Sequence, residues 1–231
     1  MNAAVLQAKG LSKTFTLHGR GGASLPVFGG IELAVAPGEC LALTGRSGSG
    51  KSSLLRCLYG NYAATDGEVR IRHGDGWVDL TRAQPREVIE VRRHTLGYVS
   101  QFLRVIPRVP ALDVVAEPLR RLGRDAPAAR SEAAAWLARL NLDERLWALP
   151  PATFSGGEQQ RVNIAHGLIA GQPVLLLDEP TASLDAGNRT VVVELIREAC
   201  ARGAAVVGIF HDEEVRDAVA THRFDVESHR N

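Results

Sequence analysis

The chain has 231 residues, of which 45% are apolar and 23% charged, and its formal net charge is +1. A chain of this length buries about 70–75% of its unfolded surface without staples, and the composition excludes mainly disordered, collagen-like and disulfide-scaffold proteins. A charge so near zero supplies no general pull toward nucleic acid and no solvating acidic tail. The three cysteines, Cys40, Cys57 and Cys200, are far apart and form no C-x-x-C pair. Reduced thiols of a cytoplasmic protein are the expectation. Met1-Asn2-Ala3-Ala4 does not begin a basic-then-apolar leader. Apolar runs such as Val174–Leu177 fall far short of the roughly 18 residues of a membrane span, so no direct membrane insertion is expected.

In chain order, two strand-like runs at 31–44 flank the turn Pro37-Gly38. A Gly/Ser-rich loop follows, then an apolar helical stretch at Ser52–Tyr59. Glu68–Arg72 and Trp77–Leu80 alternate as strands around Gly74-Asp75-Gly76. Pro85 suits the first position of a short helix through Arg93, and Leu96–Ser100 reads as another strand. From about Leu112 to Leu149, Ala, Leu and Arg dominate, and Ser131–Leu140 carries helical periodicity. Val174–Leu177 and Ala204–Phe210 are buried strands on either side of a helix over Asn188–Ala201. Strands alternating with helices predict an α/β fold with a mostly parallel sheet covered on both faces. Residues 102–160 form a helical insertion in that domain, and a loose tail is expected from about Glu227.

Gly45-Arg46-Ser47-Gly48-Ser49-Gly50-Lys51-Ser52 fits G-x-x-x-x-G-K-[ST] between a strand and a helix, the context of a phosphate-binding P-loop. Glycines let the backbone wrap an anion, and successive N–H groups at the helix start, through Ser53, point at it. Lys51 is one of only three lysines, with Lys9 and Lys13, and stands where it reaches the β- and γ-phosphates. The Ser52 hydroxyl would bind Mg²⁺. The strand Val174–Leu177 ends in Asp178 and Glu179. Asp178 is placed to hold Mg²⁺ through its water shell, and Glu179, pointing differently, to polarise an attacking water.

Phe154-Ser155-Gly156-Gly157-Glu158-Gln159-Gln160-Arg161 opens a helix running to about Ala170. With it the chain resembles the ATP-binding-cassette (ABC) ATPases, departing from the usual signature at Phe154 and Glu158. The resemblance spans roughly residues 5–225. It implies a P-loop NTPase nucleotide-binding domain with an N-terminal antiparallel β part. It also implies one domain over 1–231, with a core of 1–101 and 161–231 and a helical subdomain of 102–160. Ser155, Gly156, Gly157 and Glu158 would meet ATP held by a second copy, giving a head-to-tail homodimer with two ATP molecules between the subunits. Gln101 resembles the glutamine that touches Mg²⁺ or the lytic water. Asp185, in Ser183-Leu184-Asp185, resembles the residue that crosses toward the opposite site. His211 resembles the switch histidine on the γ-phosphate. Phe15 sits where the family places an adenine-stacking aromatic, with a core Phe as the alternative. His166 stands where many relatives carry Arg.

Several further stretches resemble one branch of the family, the L subunit of the bacterial phosphonate carbon–phosphorus lyase system. They are His73–Leu80, Tyr98–Arg108, Glu144–Trp147, Thr153–Ala165 and Arg202–Glu213. That resemblance implies a cytoplasmic ATP hydrolase working with core subunits G, H and I, with J and K as further candidates. The complex is an α-D-ribose 1-methylphosphonate 5-triphosphate synthase, which joins a phosphonate to the ribose of ATP and displaces adenine. Arg104 and Arg108 are either partner contacts or a solvated face. The alternative is the ATPase subunit of a membrane ABC transporter, with 102–123 gripping a transmembrane partner. A monomeric P-loop kinase uses no such signature.

Overall fold

The computed structural model describes residues 3–17, 22–103 and 107–230. A five-stranded parallel sheet carries the fold, in the order β6 (Leu96–Val99), β7 (Val174–Asp178), β8 (Ala205–Ile209), β3 (Cys40–Thr44) and β9 (His222–Asp225). Its strands show why the sequence reads as short apolar runs. In β7, Leu175 and Leu177 face one apolar cluster while Val174 and Leu176 face another; in β3, Cys40 and Ala42 oppose Leu41 and Leu43. Side chains alternate across a strand, so a sheet buried on both faces needs an apolar residue at every step.

On one face lie α3 (Ala111–Arg121), α4 (Ala126–Arg139), α5 (Gly156–Leu168) and α6 (Ala186–Ala201). The α4 helix starts at Asp125, whose carboxylate accepts from the Ala128 N–H at 2.7 Å, and it buries Ala129, Ala133 and Leu137. The four-residue spacing places those three on one stripe. The other face is covered by α1 (Lys51–Leu58) and by an antiparallel sheet of β2 (Ala23–Val35), β1 (Leu6–Leu17), β4 (Asp66–His73) and β5 (Gly76–Asp79). The remaining helices are α2 (Pro85–His94) and α7 (Glu213–Val219). The expected α/β class, the mostly parallel sheet and the antiparallel N-terminal part are all present.

Three elements escape the sequence reading: β1, α7 and β9. β1 is interrupted by register shifts between Ala8 and Thr14, which break its period-2 pattern. The expectation of a loose tail is corrected. Glu227–His229 makes a 3-10 turn, and the Glu227 carboxylate accepts from the Arg46 N–H at 3.1 Å. The chain end therefore braces the start of the phosphate loop. Arg104, Val105 and Ile106 lie outside the described residues. Arg108 is described, with φ at 64°.

Packing of this kind makes unequal demands. Leu176, fully buried in β7, should cost about 2–5 kcal/mol when truncated to Ala. Ile89, 58% exposed on α2, should change stability by less than about 0.5 kcal/mol. Urea unfolding of the two variants checks the contrast.

Candidate active site

The candidate residues gather where the parallel strands end, the edge at which open α/β sheets bind ligands. The phosphate loop follows β3, Asp178 closes β7 and Glu179 follows it. Gln101 lies two residues past β6, and His211 two past β8.

The loop enters α1 through Gly50, whose φ of 98° is left-handed; a Cβ there would sit 2.7 Å from Val27. Only glycine meets both demands. No side chain caps α1, and no acidic residue stands in its first turn. The first hydrogen bond of the helix runs from Leu54 N–H to Gly50 C=O. The N–H groups of Lys51, Ser52 and Ser53 are therefore left to a ligand, at the positive end of the helix dipole. The Lys51 ammonium donates to the Gly45 and Arg46 carbonyls at 2.7 and 2.8 Å. It makes no ion pair among the described residues. Ser47 is exposed at the loop tip, and Ser49 is buried with no partner for its hydroxyl among the described residues.

Asp178 is buried, with 1% of its surface exposed. One carboxylate oxygen accepts from the Ser52 hydroxyl at 3.0 Å and the other from the Tyr98 hydroxyl at 3.2 Å. Burial holds this carboxyl above its ordinary range, and the two hydrogen bonds pull the other way. Ser52 and Asp178 together offer two adjacent hard oxygen donors. No group of three or more His, Cys, Asp or Glu among the described residues is placed to hold a metal. The pair thus fits Mg²⁺, which takes few protein ligands beside substrate phosphates and water.

Glu179 has φ at 54°, uncommon for a residue with a Cβ. The Glu179 N–H donates to the Ile209 carbonyl at 3.1 Å. Gln101 Nε2 donates to one Glu179 oxygen at 3.0 Å, and His211 Nε2 lies 2.7 Å from the other. Glu179, Gln101 and His211 are thus one hydrogen-bonded unit, and Lys51, the fourth residue expected to serve catalysis, stays on its own loop. Gln101 reaches Glu179 rather than the Ser52–Asp178 pair where a metal ligand would be.

The signature helix is finished differently from α1. Ser155 caps α5 in a reciprocal box: the Ser155 N–H and hydroxyl donate to Glu158 at 2.8 and 2.7 Å, and the Glu158 N–H returns to Ser155 Oγ at 3.4 Å. The Glu158 carboxyl is held below its usual range, the Ser155 hydroxyl first among the causes. Gly157 runs against the Ser183 carbonyl, 2.9 Å from where a Cβ would be. Asp185 caps α6, accepting from the Asn188 N–H and side-chain amide, each at 2.8 Å. These bonds hold its carboxyl low.

Phe15 packs edge-on against Tyr62, ring centroids 5.3 Å apart, with the Lys13 ammonium 4.5 Å from its centroid. His166 pairs with Glu117 at 3.7 Å, joining α5 to α3. Cys40 and Cys57 are buried, Cys200 is half-buried, and all three are free thiols. Two participants escape the sequence reading. Tyr98 looks like any strand aromatic, and Glu227 like a tail residue; only the tertiary fold brings them to Asp178 and Arg46.

A family model described as ABC transporter matches residues 28–182. The chain is 38% identical over 216 residues to the lipoprotein-releasing system ATP-binding protein LolD of Maricaulis maris, covering 93% of this chain and 91% of that protein. It is also 38% identical to an uncharacterised ABC transporter ATP-binding protein of Mycobacterium tuberculosis, covering 84% of this chain but only 58% of the relative's length. Among solved structures, the ATP-binding cassette MJ0796, a dimer in a post-hydrolysis state bound to ADP and Pi, superposes with a TM-score of 0.84 at 30% identity, covering 93% of this chain and 91% of that one. With the phosphate loop, the Asp178–Glu179 strand end and the signature helix arranged as described, the chain belongs to the ABC transporter family of ATP-binding proteins.

Proposed function

We propose that this chain binds ATP with Mg²⁺ and hydrolyses it to ADP and phosphate as one half of a head-to-tail homodimer. The observation that carries the reading is Glu179, held by Gln101 and His211 at 3.0 and 2.7 Å beside the Ser52–Asp178 pair. The N–H groups of Lys51, Ser52 and Ser53 and the Lys51 ammonium would take the β- and γ-phosphates. Mg²⁺, near Ser52 and Asp178, would neutralise phosphate charge as the β–γ bridge breaks. Glu179 orients the attacking water and accepts its proton. Each of its oxygens keeps a second lone pair for that water, so Gln101 and His211 can stay and hold its orientation. His211 would stand beside the γ-phosphate. Phe15 would serve the adenine only from a ring face that Lys13 leaves open.

Two features support the pairing of subunits. Ser155, Gly156 and Gly157 begin a second helix N-terminus, and the similar cassette MJ0796 forms a dimer. In the dimer, the Ser155 hydroxyl leaves Glu158 for the γ-phosphate bound by the other copy, and Asp185 faces that same site.

The work of hydrolysis goes to a partner. The names of the relatives support an ATPase subunit of a membrane transporter. No helix among the described residues is long and apolar enough to cross a membrane, so a transmembrane partner would supply that part. A cleft of about 370 Å³ lies between α2, β6, α3 and α5, and Phe102, next to Gln101, is 75% exposed. A second reading, coupling to the carbon–phosphorus lyase subunits G, H and I, rests on the stretches His73–Leu80, Tyr98–Arg108 and Arg202–Glu213. The comparisons lend it no support.

Glu179→Gln should keep nucleotide binding, lose about 10²–10⁴-fold in turnover and accumulate an ATP-bound dimer on size-exclusion chromatography. Unchanged phosphate release would remove Glu179 from the chemistry. Ser155→Arg should leave nucleotide binding by the single subunit intact and abolish both dimer and turnover; normal turnover would disprove the shared site. Recovery of tagged Glu179→Gln protein from native cells, with ATP and Mg²⁺, separates the partners. An integral membrane protein in the eluate is the expected outcome for a transporter. Lyase core subunits from the soluble fraction would establish the second reading instead.

A further inference from the structure

Among the groups the proposed chemistry does not use, Tyr98 stands closest to the reacting centre. Its strand β6 lies beside β7 with Tyr98 opposite Leu176. Asp178 is two residues further along, on the same face of the sheet. The Tyr98 hydroxyl therefore reaches forward along the sheet to the buried carboxylate, at 3.2 Å from the oxygen that Ser52 does not hold. The ring is itself fixed. It stacks on Tyr59 with centroids 4.8 Å apart, and the Arg92 guanidinium lies 4.3 Å from the Tyr59 ring centroid. Arg92 is anchored in turn by the Tyr59 carbonyl and Asn61.

We infer that Tyr98 is a positioning residue for the magnesium site: its hydroxyl fixes the plane of the Asp178 carboxylate so that the other oxygen faces the metal's water shell. The inference rests on the reading of Asp178 as part of that site. The two hydroxyls hold different oxygens of the carboxylate: Ser52 donates its proton to one and still has a lone pair for a metal, while Tyr98 donates to the other. Without the Tyr98 bond, one oxygen of a carboxylate almost wholly out of water would lose its hydroxyl donor and be free to rotate toward another group, the nearby Arg56 guanidinium included. Outer partners that orient a ligating group are commonly worth 10–100-fold in metal affinity.

Tyr98→Phe removes the hydroxyl and leaves the stacked ring, which also walls the cleft between α2 and α3. The measurement is binding of a non-hydrolysable ATP analogue to the full chain, with Mg²⁺ and with EDTA, alongside the thermal midpoint in EDTA. In Tyr98→Phe, the tightening that Mg²⁺ gives the wild type should fall by about 10-fold, while affinity in EDTA stays within about twofold. Tyr98→Met, which also lacks the hydroxyl, should show the same loss. Equal Mg²⁺ tightening in wild type and Tyr98→Phe overturns the inference, even if the midpoint drops, because the residue would then be structural. Equal weakening with and without Mg²⁺ overturns it too. Absence of any Mg²⁺ tightening in the wild type would remove the reading of the site itself, and the inference with it.

Discussion

A carboxylate almost fully withdrawn from water, Asp178, sits one hydrogen bond from the first turn of an uncapped helix. Much of the molecule exists to make that arrangement tolerable. Burying an anion is costly unless donors or positive charge offset it. Here the offsets are two hydroxyls, with the positive end of α1 close by. Strand β7 must be buried on both faces to deliver the carboxylate, which is why helices cover one side and α1 and the antiparallel sheet the other. The left-handed Gly50 turns the loop into α1. The Glu227 brace fixes the loop's far end at Arg46. What folding leaves unsatisfied is a set of N–H groups and an ammonium that want an anion, next to oxygens that want a cation. A magnesium nucleotide supplies both charges at once.

The parts visible in the sequence are those in which local chemistry and position coincide. A glycine loop ending in Lys51-Ser52 states its anion preference in eight consecutive residues. Val174–Glu179 states both burial and the two carboxylates. The helical stretch 131–140 shows in its spacing, since α4 returns an apolar residue to one face every fourth position. What stays hidden depends on partners distant in the chain. Strand β1 pairs with β2 and β4 through shifted registers, so no simple alternation marks it. Strand β9 has the burial of an edge, and its four residues, His222–Asp225, carry no apolar run. Tyr98 and Glu227 acquire meaning only when β6 lies against β7 and the chain end folds back across the loop.

Glu179 shows a second kind of concealment. Sequence alone places a general base after a buried strand. The fold adds that both its oxygens are engaged, by Gln101 from beyond β6 and by His211 from beyond β8. Each oxygen keeps a second lone pair, so a water can be accepted while both neighbours hold the carboxylate in place. Those neighbours sit on two loops that leave the sheet on opposite sides of β7. Phe102, 75% exposed, directly follows Gln101. On the reading proposed above, a partner seated on it would act on the segment that holds Glu179, with no long-range device.

The two helix N-termini are not equivalent as anion sites, and their difference orders the events. The start of α1 has neither a capping side chain nor an acidic residue in its first turn. The start of α5 has both, because Glu158 brings a carboxylate onto Ser155. A carboxylate already at a helix N-terminus cancels part of the dipole's pull. The Ser155 hydroxyl would trade one anionic acceptor for another on meeting a phosphate. Charge-assisted hydrogen bonds are each worth about 1.5–3 kcal/mol, so that exchange nearly cancels. On the reading proposed above, nucleotide would go first to α1 of each subunit, where no carboxylate competes for it. The signature helix would add little affinity of its own, and closure would depend on a nucleotide already bound by the other copy. With Gln at position 158 instead, the competing carboxylate would be gone and the balance would tilt toward the closed pair.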